Sequence, residues 1–346
     1  MTKSPAKKTA PKKAAKKAPA KKSAAKKLPS SPQAMAREML RLLTERLGPD
    51  DLILPSDVNA LMASLAAPQA SDRLSDEEAD AKSEAQQIAF DAMEARSEAQ
   101  ARKLAKRALK LDPDCVDALV VMVDLDARSP RAMIEGLQKA VAAGERSLGA
   151  KFIDENEGHF WLLLETRPYM RALQALAESY RTEGINLDAI KTYEKMLRLN
   201  PNDNQGVRDP LLGQYLETGD LKAAALLLKK YKDDASACFE WARVLERFLA
   251  GDRVGATAAL KRARKANPHM ELFITAQKDM PEEPPEMYAP GSEDEAVLCL
   301  VNLSGALAAH DEAASWLFDR FAETGGSEAR GKIALLKAPV QGKRVQ

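Results

Sequence analysis

His159 stands among Glu155, Glu157 and Glu165, and a histidine ringed by carboxylates is this chain's first hint of metal chemistry. Zinc and iron sites draw on at least two His or Cys ligands together with a carboxylate. The other two histidines, His269 and His310, fall in different segments, and no H-E-x-x-H run occurs. His159 therefore reads as a loop residue beside Phe160 and Trp161, and no metal is expected. Cys115, Cys238 and Cys299 could supply a nucleophile, yet all three lie within helical apolar patterns and none belongs to a CxxC pair. Their odd number and wide separation point to reduced thiols in a cytoplasmic setting rather than to a disulfide framework. G-x-G-x-x-G, Walker A and G-x-S-x-G runs are all missing. No catalytic residue and no cofactor is expected.

Binding is the better prospect. Arg171, Gln174, Glu178 and Arg181 are spaced i, i+3, i+7 and i+10, which aligns them along one face of a helix. Arginine engages carboxylates with a planar fork and is frequent at binding hot spots. These four are expected to line a groove that receives a peptide or helix of a protein partner. The polar turn Asn200 to Gly206 reads as a helix stop, followed by Asp203 or Asn204 capping the next helix. Arg167 is expected to pair with Glu165.

A second binding chemistry sits at the N-terminus. Residues 1–32 hold eleven lysines and no acid, so the overall +1 less those eleven charges leaves −10 for the rest. Ten of the lysines form doublets: Lys7, Lys8, Lys12, Lys13, Lys16, Lys17, Lys21, Lys22, Lys26 and Lys27. With Ala and Pro between them and no aromatic, the segment is expected to be a disordered tail. Lysines on a flexible chain neutralise phosphates and release counterions, so non-specific, salt-sensitive contact with DNA or RNA is the expectation here. Base readout and stacking on single strands lack the side chains they need.

The elements that must position these groups follow from spacing. Ala101, Ala189 and Ala256 each precede a proline by twelve residues (Pro113, Pro201, Pro268). Ala189, Ala223 and Ala256 succeed one another at intervals of 34 and 33 residues, the period of the tetratricopeptide helix–turn–helix unit. Gly184, Gly219 and Gly251 allow the turn inside each pair, and Asn200-Pro201 and Asn267-Pro268 stop the second helix. The expected fold is all-α: a tetratricopeptide-like, right-handed solenoid of helical hairpins whose first helices line a concave surface. Central repeats occupy 168–270, and first helix pairs occupy 71–148, with Ser71 to Glu78 as a polar linker and Ser129-Pro130 opening a helix. Residues 149–167 break the period and read as an insertion with its own short helix. Short N-terminal helices are expected in 33–70, either capping the array or binding a partner. Residues 271–291, rich in proline, form a crossing loop. Ser292 with Glu295 is a capping-box start for a C-terminal helix pair over 292–325, and 326–346 form a tail. No window approaches the ~18 apolar residues that a membrane span needs.

Four pieces in order carry a family resemblance: GHFWLLLETRPYM (158–170), YEKMLRLNPNDNQGVR (193–208), NPHMELF (267–273) and MYAPGSEDEA (287–296). Together they resemble the suppressor-of-tumorigenicity 7 family and the bacterial tetratricopeptide-type proteins that share its core. The match runs from His159 to Ala296, about 40% of the chain. It implies a tetratricopeptide-like helical array and carries over no reaction and no catalytic residue. Members of the animal branch are similar to membrane proteins, a property that this chain lacks the apolar segment to share.

Overall fold

A computed structural model describes residues 74–325, all of them within one compact unit of the chain, Ala67–Gln346. The Lys-rich segment, the short helices expected in 33–70 and the C-terminal tail lie outside the described residues. Among the described residues there are fourteen α-helices, two single-turn 3-10 segments and no strand, so the all-α expectation holds there.

Five helix pairs follow one another. They are α1 (Asp76–Met93) with α2 (Glu98–Leu111), α3 (Val116–Asp126) with α4 (Pro130–Leu148), α6 (Arg167–Thr182) with α7 (Asn186–Leu199), α8 (Arg208–Glu217) with α9 (Leu221–Lys230), and α10 (Ala237–Leu249) with α11 (Arg253–Ala266). Each pair packs internally, and the second helix of each also packs on the first helix of the next: α2 on α3, α4 on α6, α7 on α8, α9 on α10. The interval between α4 and α6 holds α5 (Ala150–Glu155) and the 3-10 turns Phe160–Leu162 and Leu164–Thr166.

Local chemistry sets the boundaries. Three pairs turn in the same way: the amides of Ile185, Asp220 and Asp252 donate to the carbonyls of Tyr180, Tyr215 and Arg247, five residues back. That bond closes a left-handed helix terminus, and Gly184, Gly219 and Gly251 supply its positive φ of 69°, 75° and 81°. Asp220 and Asp252 then cap α9 and α11 by accepting from the amides of Ala223 and Gly255. Ser129 caps α4 ahead of Pro130.

Two segments differ from their sequence expectation. The stretch Ser71 to Glu78 is not a linker throughout: Ser75 caps α1, with its hydroxyl accepting from the Glu78 amide and the Glu78 carboxylate accepting from the Ser75 amide. Its acids are first-turn residues, favoured there by the helix dipole. The crossing segment opens with a short helix, α12 (Met270–Ile274), before the irregular run to Ser292.

The core falls into two clusters that meet on α3. One is small and alanine-rich (Ala85, Ala89, Ala92, Ala101, Ala105, Ala108), and it draws α1 and α2 close together. Ala118 and Val121 of α3 join it, whereas Val116 belongs to the large cluster that runs on to Leu317. At the other end, α13 (Glu293–Ala309) packs on both α8 and α10, and α14 (Asp311–Gly325) follows it. The contact with α8 is unusually intimate. A Cβ on Gly213 would overlap the backbone carbonyl oxygen of Asn302, and one on Gly305 would meet the Glu217 carboxylate. His310, between α13 and α14, places Nε2 2.8 Å from the Leu216 carbonyl oxygen and must donate there. Consequently α8 is buried on every side from Pro210 to Leu216.

Gly213→Ala tests that approach, since the atom it would meet is backbone and cannot swing aside. The expected loss is about 1–3 kcal/mol in denaturant unfolding. An unchanged midpoint would mean that α8 and α13 do not lie this close.

Candidate functional site

The stripe on α6 is where sequence and structure can be compared residue by residue. Arg171 faces α3, not open solvent: its Nε donates to Asp117 Oδ1 at 3.1 Å and its Nη2 donates to Oδ2. Asp117 is the partner in need, with a side chain only 3% exposed against 34% for Arg171. Gln86 Nε2 of α1 donates to the same carboxylate at 2.7 Å. The Arg171 guanidinium also lies 5.6 Å from the centre of the Phe90 ring. Arg171, Asp117, Gln86 and Phe90 thus join three first helices, α1, α3 and α6, in a single polar seam.

One turn further along α6, Gln174 Oε1 accepts from Gln205 Nε2 at 2.8 Å, and the same amide reaches the Met170 carbonyl. Gln205 belongs to the polar turn after α7. Asp203 of that turn caps α8, accepting from the amides of Val207 and Arg208, so the turn acts as a helix stop and cap. Glu178 and Arg181 pair with each other at 3.1 Å. Behind them the Tyr193 hydroxyl is buried with no hydrogen-bond partner, and burial pushes that hydroxyl up. The Arg181 Nε is likewise enclosed and unpartnered.

The four stripe residues therefore divide by role. Arg171 and Gln174 are committed to holding α6 against α3 and against the 200–206 turn. Glu178 and Arg181 pair with each other on α6, with the buried Tyr193 hydroxyl against the Arg181 guanidinium. Beside the seam, Phe90 and Met93 of α1 are 39% and 50% exposed, i and i+3 on one face. The positions missed by sequence spacing are Gln86, Phe90, Asp117 and Gln205. Only Asp117 left a signal, as an acid inside the apolar run VDALVVMVDL.

The remaining candidates take structural places. Arg167 turns to Trp161, donating to its carbonyl at 3.3 Å with its guanidinium 5.1 Å from the ring centre. His159 is exposed. Among the described residues, no group of three or more His, Cys, Asp or Glu side chains is placed to hold a metal ion. All three cysteines are buried free thiols. Tyr180, Tyr193, Tyr215, Trp241 and Phe248 are core residues. Among the described residues, no helix is long and apolar enough to cross a membrane. No family model matches the chain, and no curated protein matches it.

The seam makes an asymmetric prediction. Arg171→Gln leaves a buried Asp117 carboxylate with only Gln86 as donor, a cost of about 1–3 kcal/mol once the partial exposure of Arg171 is allowed for. Adding Asp117→Asn to that variant restores part of the loss, because an amide needs no counter-charge. Urea unfolding of both variants checks this, and equal or greater loss in the double variant would remove Asp117 as the anchor.

Proposed function

We propose that the helix pairs form a tetratricopeptide-like solenoid that serves as a protein-interaction scaffold. A peptide or helix of a protein partner docks on the face made by α1, α3 and α6. The observation that carries this is α13, a helix of the same chain laid across α8 and α10. First helices of successive pairs thus already receive a helix at one end of the array. Their counterparts α1, α3 and α6 are knit together by the Asp117 seam and carry Phe90, Met93, Glu178 and Arg181 as available contacts. Apolar side chains beside a paired charge suit an amphipathic segment, with binding anchored by few residues. The resemblance to the suppressor-of-tumorigenicity 7 family core belongs to this same proposal, as does a cytoplasmic setting suited to three free thiols. No catalytic, cofactor or metal role enters it.

The test is affinity capture from cell extract with the full chain, with bound proteins identified by mass spectrometry. The combined change Phe90→Ser, Met93→Ser and Arg181→Glu leaves the Arg171–Asp117 pair intact. It is expected to lower capture of the main partner at least tenfold while helicity by circular dichroism stays unchanged. Undiminished capture would eliminate this face.

A second reading has its own observation, the eleven lysines and no acid of residues 1–32. On that reading the segment tethers the protein non-specifically to nucleic acid. Deleting residues 2–27 is then expected to abolish retention on DNA at moderate salt, and retention by the shortened chain would discard it.

A further inference from the structure

The segment between α12 and α13 is pinned at both ends and released in between. At its start, the amides of Gln277 and Lys278 donate to the Leu272 carbonyl at 2.8 and 3.1 Å. At its end, Ser292 Oγ accepts from the Glu295 amide, but the Glu295 carboxylate does not return to Ser292. It accepts instead from the Ala237 amide at 3.0 Å, the Gly291 amide at 2.7 Å and Asn267 Nδ2 at 3.1 Å. Lys278 and Glu293 pair across the base, and Lys278 Nζ also lies 5.6 Å from the centre of the Phe273 ring. Between these anchors, from Asp279 to Tyr288, no residue shares a hydrogen bond or ion pair with another described residue. Pro281, Pro284, Pro285 and Pro290 lack an amide hydrogen and hold φ fixed, so no helix forms there to cover the side chains.

Two methionines ride on this loop. Met287 is 84% exposed and Met280 42%; Met93 of α1 is 50% exposed, whereas Met170, Met196 and Met270 lie in the core at 1% or less. A thioether needs no proton loss to react at sulfur, so access decides which methionine an oxidant reaches. Packing shields the three core sulfurs until the protein opens. A sulfoxide there would also bury a polar oxygen without a donor, while at Met287 it would stand in water. The usual competitors for an oxidant are thiolates, and all three cysteines are buried free thiols. Burial pushes the Cys115 thiol up to about 11. Asp279, Glu282, Glu283 and Glu286 precede Met287, with no Lys or Arg from 279 to 292. Their field turns away anionic oxidants and admits an uncharged one.

We propose that Met287 is a reversible oxidation site whose oxidant is hydrogen peroxide. A lone pair on Met287 Sδ attacks one peroxide oxygen, and the S–O bond forms as the O–O bond breaks. The transferred oxygen gives its hydrogen to the departing hydroxide, so the products are methionine sulfoxide and water. Sulfur loses two electrons and the peroxide gains them. A thiol-dependent methionine sulfoxide reductase restores the thioether, with two thiols joined as a disulfide and the oxygen released as water. Oxidation turns the most exposed apolar side chain of the loop into a polar one, and it breaks no hydrogen bond or ion pair of the fold. The site does not depend on the α1–α3–α6 face, so a failure of either leaves the other standing.

The test exposes the full chain to dilute hydrogen peroxide at neutral pH and follows each methionine by mass spectrometry. Digestion at glutamate cuts after Glu286 and separates Met280 from Met287. Met287 is expected to gain one oxygen at least tenfold faster than Met170, Met196 and Met270, and ahead of Met93 and Met280. In urea-unfolded protein the rates are expected to converge, because the fold alone sets them apart. After the first oxygen enters at Met287, the urea unfolding midpoint is expected to match that of untreated protein. Methionine sulfoxide reductase with dithiothreitol is expected to remove that oxygen from the folded chain. Oxidation of a core methionine as fast as Met287, a Met93 rate equal to or above that of Met287, or a rate order that persists in urea would overturn the assignment. A Met287 sulfoxide that the reductase leaves in place would overturn its reversibility.

Discussion

The backbone-to-backbone approach of α8 and α13 governs the C-terminal half of this structure. Two helices come that close only where a side chain is missing, and Gly213 opposite the Asn302 carbonyl provides the gap. Once α13 lies there, α8 is buried from Pro210 to Leu216, and Glu295 of α13 reaches the Ala237 amide at the start of α10. His310 then seals the far end of α8 by donating to Leu216.

Buried acids act as fasteners elsewhere too. Asp117 holds α1, α3 and α6 through Gln86 and Arg171, and Glu295 holds four segments through three donors. A carboxylate accepts several hydrogen bonds at once and can therefore join elements far apart in sequence, at the cost of its own desolvation. Where donors suffice, the acid is silent chemically. Asp209 Oδ1 has none, and burial pushes its carboxyl up to about 7.

This division of labour also separates the two ends of the α6 stripe. Spacing alone ranks Arg171 and Arg181 equally, because a helix presents both to the same side. Packing distinguishes them: α3 brings Asp117 to Arg171, while Arg181 meets Glu178 of its own helix and the Tyr193 hydroxyl of α7. Likewise Glu295 reads from its position as half of a capping box, and Glu78 does form one; the difference is that Glu295 has better donors within reach from α10, α11 and the loop.

Short-range features were legible in the chain itself: the glycine turns at 184, 219 and 251, the asparagine–proline stops at 200–201 and 267–268, the Ser129-Pro130 start, and the alanines that let helices approach. All depend on backbone dihedrals and hydrogen bonds within about five residues, which is why they can be read locally. Ser75 to Glu78 belonged to that class as well, its capping spacing hidden in a run of acids that reads as a linker. Asp117 with Arg171, Gly213 with Asn302, and Ala237 with Glu295 were decided only in three dimensions. Each joins residues more than 50 positions apart, and no local pattern records which helix face will meet which.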